Sequence, residues 1–297
     1  MKGVEARTAL PSSVRTGTGP GGLTRLVVDG PDASAEVVLQ GAHVTSWVPV
    51  GEDPVIWMSA RSAYAPGVPL RGGVPVCFPW FGPHRVAGAP LHGFARTADW
   101  ELRGAEERGG DVVLTLGLSD SEASRASAWP HRFDARLTIT VGRRLVLALE
   151  VTNPGGEAIT FTEAFHTYLA VADVRSATIG GLESSAYVDR LVSPDRHAPD
   201  GRPLTITGET DRIYVQPGTI TVDDPAGLRV LQIGSGGAAD AVVWNPWVAK
   251  SAAMGDFGDD EWIGMLCVEA GNVSAPVRLA PGESHTLTTA VEVSALV

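Results

Sequence analysis

Cysteine is nearly absent from this 297-residue chain: Cys77 and Cys267 are the whole supply, both inside apolar, strand-like stretches. Two thiols give no support to a disulfide framework or a cysteine-based zinc site. Both are expected to be small buried side chains in a reduced cytosol. Charge is sparse too, at 19% of residues, and the balance is acidic, 34 carboxylates against 23 basic side chains for a net −11. No basic stripe is present, which argues against nucleic acid or anionic membrane as partners. A small anion stays open, because a few converging arginines set a local potential whatever the total charge. No apolar run reaches the roughly eighteen residues of a membrane span. The first twenty-two residues lack the apolar segment of a secretory signal. A soluble, cytoplasmic protein is expected. Walker, GxGxxG, HExxH and GxSxG motifs are all missing, and with them the usual signs of nucleotide, zinc-peptidase and serine-hydrolase chemistry.

Turn-formers are plentiful instead, with 35 Gly and 21 Pro. That profile favours short strands joined by turns over long amphipathic helices. Phe133, Ala135, Leu137, Ile139 and Val141 alternate with polar neighbours, and Leu145, Leu147, Leu149 and Val151 repeat the pattern beyond Gly142-Arg143-Arg144. This spacing predicts a hairpin with one buried face. Further strands are expected at 35–39, 43–48, 111–117, 159–171, 204–207, 219–222, 228–233, 241–244, 263–269 and 285–293. One short helix is expected over 120–128, capped by Asp120. Strands do not alternate with helices, so a parallel α/β sheet is disfavoured and an antiparallel β-sandwich is the preferred architecture.

Two ionisable residues interrupt apolar runs: His166 in FTEAFHTYLAV and Glu269 in WIGMLCVEAGNV. A charge in such surroundings costs several kcal/mol unless it is paired or wet. A histidine and a glutamate together are also what proton transfer requires. Strand parity sets His166 with Thr162, Ala164 and Tyr168, opposite the aromatic side formed by Phe161, Phe165 and Leu169. It sets Glu269 with Met265, Cys267 and Gly271. Alone, each has a plain structural reading: a hydrogen-bonded core histidine and one half of an Arg–Glu pair. Glu163 falls on the aromatic side, where a β-bulge or a buried hydrogen bond would have to absorb it.

Other segments offer donors. RGGVPVCFPWFGP (71–83) is rigid with proline, and its two glycines would let backbone approach a ligand. Arg71 opens it with a fork of donors suited to hydroxyls or phosphate. LHGFAR (91–96) adds His92 and Arg96. Trp244-Asn245-Pro246-Trp247 and Lys250 form an aromatic and polar cluster fit for sugar faces and hydroxyls. Asp211-Arg212 precedes a strand and reads equally as a solvated pair. A metal site of His166, Glu269 and His92 has no supporting ligand spacing.

Taken together, RGGVPVCFPWFGP, LHGFARTADW, FTEAFHTYLAV, GETDRIY, VVWNPW and MLCVEAGNV resemble, in order, the hexose-6-phosphate mutarotases, a branch of the aldose 1-epimerase superfamily. The likeness spans roughly residues 24–293. It implies an all-β, galactose-mutarotase-like antiparallel β-supersandwich with few short helices: a loose lead-in over 1–22, then one domain over 23–297. It also implies neither cofactor nor metal and a sugar phosphate as the small-molecule partner; a monomer is expected in preference to an oligomer. By motif, His166 corresponds to the general acid and Glu269 to the general base. Arg71, His92, Arg96 and Asp211 correspond to substrate-binding residues, with Arg71 and Arg96 expected on the 6-phosphate. AFHTYL stands where the branch more often reads ALHTYF, an exchange of packing residues that leaves the histidine in place. Two alternatives are carried forward: a mutarotase of unphosphorylated aldoses, and a sugar-binding sandwich without catalysis.

Overall fold

The computed structural model describes residues 10–296, and every strand pair in it is antiparallel. The expected hairpin forms as Asp134–Val141 against Arg144–Thr152, closing on the pair Val141 and Leu145. Leu137, Ile139, Leu145, Leu147, Leu149 and Val151 are fully buried, as their period of two requires. Each such Leu or Ile contributes about 2–3 kcal/mol by leaving water. These two strands lie inside a nine-stranded sheet that runs from Leu204–Thr205 at one edge to Glu101–Arg108 at the other. Near its centre is the long strand Ser284–Ala295, paired with Arg144–Thr152 on one side and Arg229–Gly236 on the other.

A second, eight-stranded sheet carries the functional residues. Its order is Arg196–His197, Tyr187–Asp189, Thr210–Val215, Asp240–Asn245, Met265–Leu279, Ile159–Phe165 and Val76–Cys77. The short strand Tyr168–Ala170 also pairs with Met265–Leu279. A third sheet of four strands follows chain order, Val14–Thr18, Thr24–Asp29, Ala33–Val38 and His43–Pro49. One contiguous buried cluster reaches from Val14 to Val291. This is the β-supersandwich architecture, with helices confined to short turns and to Glu122–Arg125 and Trp247–Ala253.

Several expectations are corrected. Residues 14–18, expected within the loose lead-in, form an edge strand whose Val14 is buried against the core. Residues 1–9 lie outside the described part of the chain. The short helix is capped by Ser121 in a reciprocal capping box with Ser124; Asp120 instead accepts from the Phe133 backbone and pairs with Arg125. The expected strand 159–171 breaks after Phe165, and Thr167 N–H turns back onto the Phe165 carbonyl at 2.9 Å. Strands of two to three residues at Val76–Cys77, Thr178–Gly180, Tyr187–Asp189 and Arg196–His197 escape a periodicity test because they are shorter than one full alternation. Thr24–Asp29 and Glu101–Arg108 are strands that the alternation does not signal, and Asp211-Arg212, expected just before a strand, lies within Thr210–Val215. No helix among the described residues is long and apolar enough to cross a membrane.

Candidate active site

His166 sits at the break between two strand segments, held by its backbone N–H on the Pro75 carbonyl at 3.0 Å. The next bond in the series, Tyr168 N–H to the Gly73 carbonyl at 2.9 Å, ties the same stretch to the RGG turn. Glu269 comes from the middle of Met265–Leu279, opposite Val242 in the pairing with Asp240–Asn245. Nδ1 of His166 and Oε1 of Glu269 are 3.4 Å apart. No hydrogen bond joins them, and His166 Nδ1 and Glu269 Oε2 both stay without a protein partner despite burial. Both residues line a cavity of about 270 Å³ with Arg71, His92, Arg190, Asp211, Trp244 and Lys250.

The face that parity left to His166, expected to be the more polar, is buried: His166 is 8% exposed and Glu269 1%. Burial is the largest influence on each. It lowers the His166 pKa well below the ordinary value, reinforced by the neighbouring imidazole of His92, beside which a second protonated ring is disfavoured, and by the positive charges of Arg71 and Arg96. It raises the Glu269 pKa well above the ordinary value, with Asp211 adding to the rise and Arg190 opposing it. Cys267 occupies the same face of the strand as Glu269, as expected. The donor atoms of His166, Cys267 and Glu269 lie within 4.8 Å of one another. These are the residues that could share a metal ion; His92, grouped with His166 and Glu269 at the sequence level, is not among them.

Arg71 is fixed on two sides. Its Nη1 donates to the Tyr168 hydroxyl at 3.0 Å, and its Nε and Nη2 meet Asp256 Oδ2 at 3.2 and 3.1 Å. Gly72 and Gly73, expected to let backbone approach a ligand, are not among the residues lining the cavity. They let the turn pass against its own chain: a Cβ on Gly72 would lie 2.6 Å from the Met58 Cα, and one on Gly73 2.2 Å from His43 Nε2. His43 Nε2 in turn lies 2.8 Å from the Gly72 carbonyl. Burial lowers the His43 pKa to about 4, so the ring is neutral and its Nε2–H donates to that carbonyl.

His92 adopts φ +61° and accepts the Gly82 N–H on Nδ1 at 3.1 Å. Burial, with Arg96, Arg190 and Arg71 nearby, lowers its pKa to about 3. The ring is therefore neutral with its proton on Nε2, a donor available to the cavity. Asp211 reaches the cavity from Thr210–Val215, 3.4 Å from Arg190 Nη1.

Arg96 is the site residue that the fold does not bring to the cavity wall. Arg96 lies in the 3-10 turn Ala95–Thr97, and its Nη2 donates to the Leu91 carbonyl at 2.7 Å. Its charge still reaches the site, lowering His92 and His166. The cation missed by sequence reasoning is Arg190, which follows a three-residue strand and carries no motif signal. Lys250, flagged within the aromatic cluster, does line the cavity and is paired with Glu209 at 2.8 Å. Trp244 lines it as well, but Asn245 is a structural residue: fully buried, it donates to the carbonyls of Trp262 and Met265. Trp247 packs on Trp262.

Glu163 resolves by both devices considered for it. A register shift separates Phe161 from Glu163, and the fully buried carboxylate meets His285 Nε2 at 3.1 Å and Asn272 Nδ2 at 3.2 Å.

Fold and site together define a β-sandwich with a buried histidine–glutamate pair in a cation-lined cavity. The family model of aldose 1-epimerase matches residues 25–292, and the chain belongs to that family of isomerases. It is similar to a candidate glucose-6-phosphate 1-epimerase of Salmonella typhimurium, 38% identical over 255 residues that cover 86% of this chain and 85% of that one. An Escherichia coli K12 protein described in the same words is 36% identical over 273 residues, covering 92% and 91%. The crystal structure of a candidate mutarotase from Salmonella typhimurium superposes with a TM-score of 0.91 at 34% identity, covering 97% and 96% of the two chains.

Proposed function

We propose that this protein interconverts the α and β anomers of a hexose 6-phosphate, glucose 6-phosphate before others. The observation that carries the reading is the 3.4 Å approach of His166 and Glu269 in a cavity whose wall also presents Arg71, Arg190 and Lys250. The names of the relatives support the phosphorylated substrate.

The chemistry needs one proton on the His166–Glu269 pair. Glu269 takes the proton of the anomeric hydroxyl while His166 gives one to the ring oxygen, and the C1–O5 bond breaks to leave an open-chain aldehyde. The pair then stands as imidazole and carboxylic acid. Burial favours that uncharged state, lowering His166 and raising Glu269. Rotation about C1–C2 presents the other face of the aldehyde, and reclosure returns both protons to their starting places. Each positioned acid or base accelerates such a step by about 10²–10⁴-fold. His92 Nε2–H and Asp211 serve sugar hydroxyls. Arg190 and Lys250, with Arg71, hold the phosphoryl group, and Arg96 adds positive potential from behind.

Polarimetry or exchange NMR on glucose 6-phosphate tests the reading. Wild-type protein is expected to speed anomerisation far above the buffer rate. His166→Ala and Glu269→Gln are each expected to lose about a hundredfold or more. Losses below tenfold would remove the assigned roles. Phosphate-sugar binding without any anomerisation would establish the non-catalytic alternative.

A further inference from the structure

Four rings form a column that ends at the catalytic imidazole. Phe257 lies on Trp57 with centroids 5.0 Å apart, and Trp57 stacks on Tyr168 at 5.7 Å and 21°. Tyr168 stacks on His166 at 4.8 Å and 9°. Trp244 closes the side of the column, edge-on to both His166 and Tyr168 at 6.0 Å. His92 meets His166 edge-on at 5.5 Å. Tyr168 is 2% exposed and is not among the residues that line the cavity, which fits a role exerted through its neighbours. Its ring nevertheless lies flat against the imidazole, and its hydroxyl accepts from Arg71 at 3.0 Å.

We infer that Tyr168 is a positioning residue with two separable duties: its ring fixes the plane of the His166 imidazole, and its hydroxyl fixes the Arg71 guanidinium. The inference rests on the proposed acid role of His166 and goes beyond it in coupling the acid to a substrate-binding cation. His166 has no hydrogen-bonded protein partner on Nδ1 that could orient the ring, so packing must do it. A stacked phenol face supplies a flat wall, and its π-electrons also favour the cationic form that donates the proton. Trp57 behind Tyr168 keeps that wall from tilting. Arg71 gains a second anchor besides Asp256, and the two anchors come from different segments of chain. The guanidinium is thereby held in one plane with less rotamer freedom to lose when substrate binds. One side chain thus sets the distance and angle between a group that holds the sugar and the group that protonates it.

The two duties predict different kinetics. Tyr168→Phe keeps the ring and removes the hydroxyl, so KM for glucose 6-phosphate is expected to rise about three- to tenfold while kcat changes less than twofold. Tyr168→Leu removes the stack, and kcat is expected to fall at least about tenfold through misorientation of the acid. A readout independent of activity accompanies both: the His166 ring protons, shifted upfield by the Tyr168 ring current, should keep their NMR positions in Tyr168→Phe and move downfield in Tyr168→Leu. Should the leucine variant fail to fold, Tyr168→Phe combined with Arg71→Lys decides the hydroxyl duty, since the two changes are then expected to be less than additive in KM. Equal effects of Phe and Leu on KM and kcat, unchanged His166 shifts in Tyr168→Leu, or full additivity of the phenylalanine and lysine changes would each overturn the inference. Normal ring-proton behaviour in a protein without mutarotase activity would remove the proposed function and leave the stacking geometry intact.

Discussion

Nδ1 of His166 faces Oε1 of Glu269 across 3.4 Å, with both groups shielded from solvent. At that separation the two residues hold a common proton more readily than two independent charges. Burial works in the same direction on each: the imidazole resists gaining a proton, and the carboxyl resists losing one.

The pH profile of kcat/KM follows from this sharing. In the proposed mechanism the singly protonated pair is the active form. It is lost in acid only when His166 is forced to take a second proton, and in alkali only when Glu269 gives up its own. The acid limb is therefore expected well below the ordinary histidine value of 6.5, and the alkaline limb well above the ordinary carboxylate value of 4.5. The profile should be measured with glucose as well as glucose 6-phosphate, so that ionisation of the phosphate drops out. A single limb centred on 6.5 would contradict the shared proton.

Replacement of the cavity cations should separate substrate class from chemistry. Arg190→Ala and Lys250→Ala are each expected to raise KM for glucose 6-phosphate about tenfold more than KM for glucose. The expected size is that of one charge-assisted hydrogen bond at a partly solvated site. Arg96→Ala should discriminate less between the two sugars, because its guanidinium is turned onto the Leu91 carbonyl. A larger phosphate-specific loss in Arg96→Ala than in Arg190→Ala would reverse this assignment.

Gly73 has φ +70°, and a Cβ there would meet His43 Nε2 at 2.2 Å and the Val44 carbonyl at 2.5 Å. Gly73→Ala is expected to cost about 2 kcal/mol or more in urea unfolding. The surviving folded protein should bind sugar phosphate more weakly, since the same turn aims Arg71.

The Glu163–His285 pair should tie stability to pH. Hydrogen bonding to Glu163 raises the His285 pKa, and burial raises that of Glu163. Both shifts mean that the folded protein retains protons that the unfolded chain releases. The His285 contribution is complete below its ordinary value of 6.5 and is lost as pH rises through the higher folded value. His285→Ala leaves the Glu163 carboxyl buried beside Asn272 alone and is expected to cost roughly 3 kcal/mol. The variant should also lose much of the decline in stability above neutral pH that denaturation of the wild-type protein would record.

Much of the sheet was legible because alternation is a local property. The run Phe133 to Val151 folded as its period of two demands, and the same parity set Cys267 on the face of Glu269. Segments too short to alternate were not legible, and Tyr187–Asp189 delivers Arg190 from one of them. Turn geometry was equally hidden. Arg96 belongs to the right motif, yet its guanidinium donates to the Leu91 carbonyl and does not line the cavity, while Gly72 and Gly73 allow close packing against their own chain.

The sequence by itself determined the strand-rich class, the two ionisable residues set within apolar runs and the motifs that mark the family. Tertiary structure alone decided that His166 and Glu269 meet, that Arg190 and Lys250 join them, and that Tyr168 backs the imidazole. The reason is physical: a side chain's direction is fixed by its own strand, but its neighbours are fixed by which strands pair. Here Tyr168 and Asp240–Asn245 both lie beside Met265–Leu279 through contacts that span about a hundred residues or tens of residues of chain, and no local pattern records them.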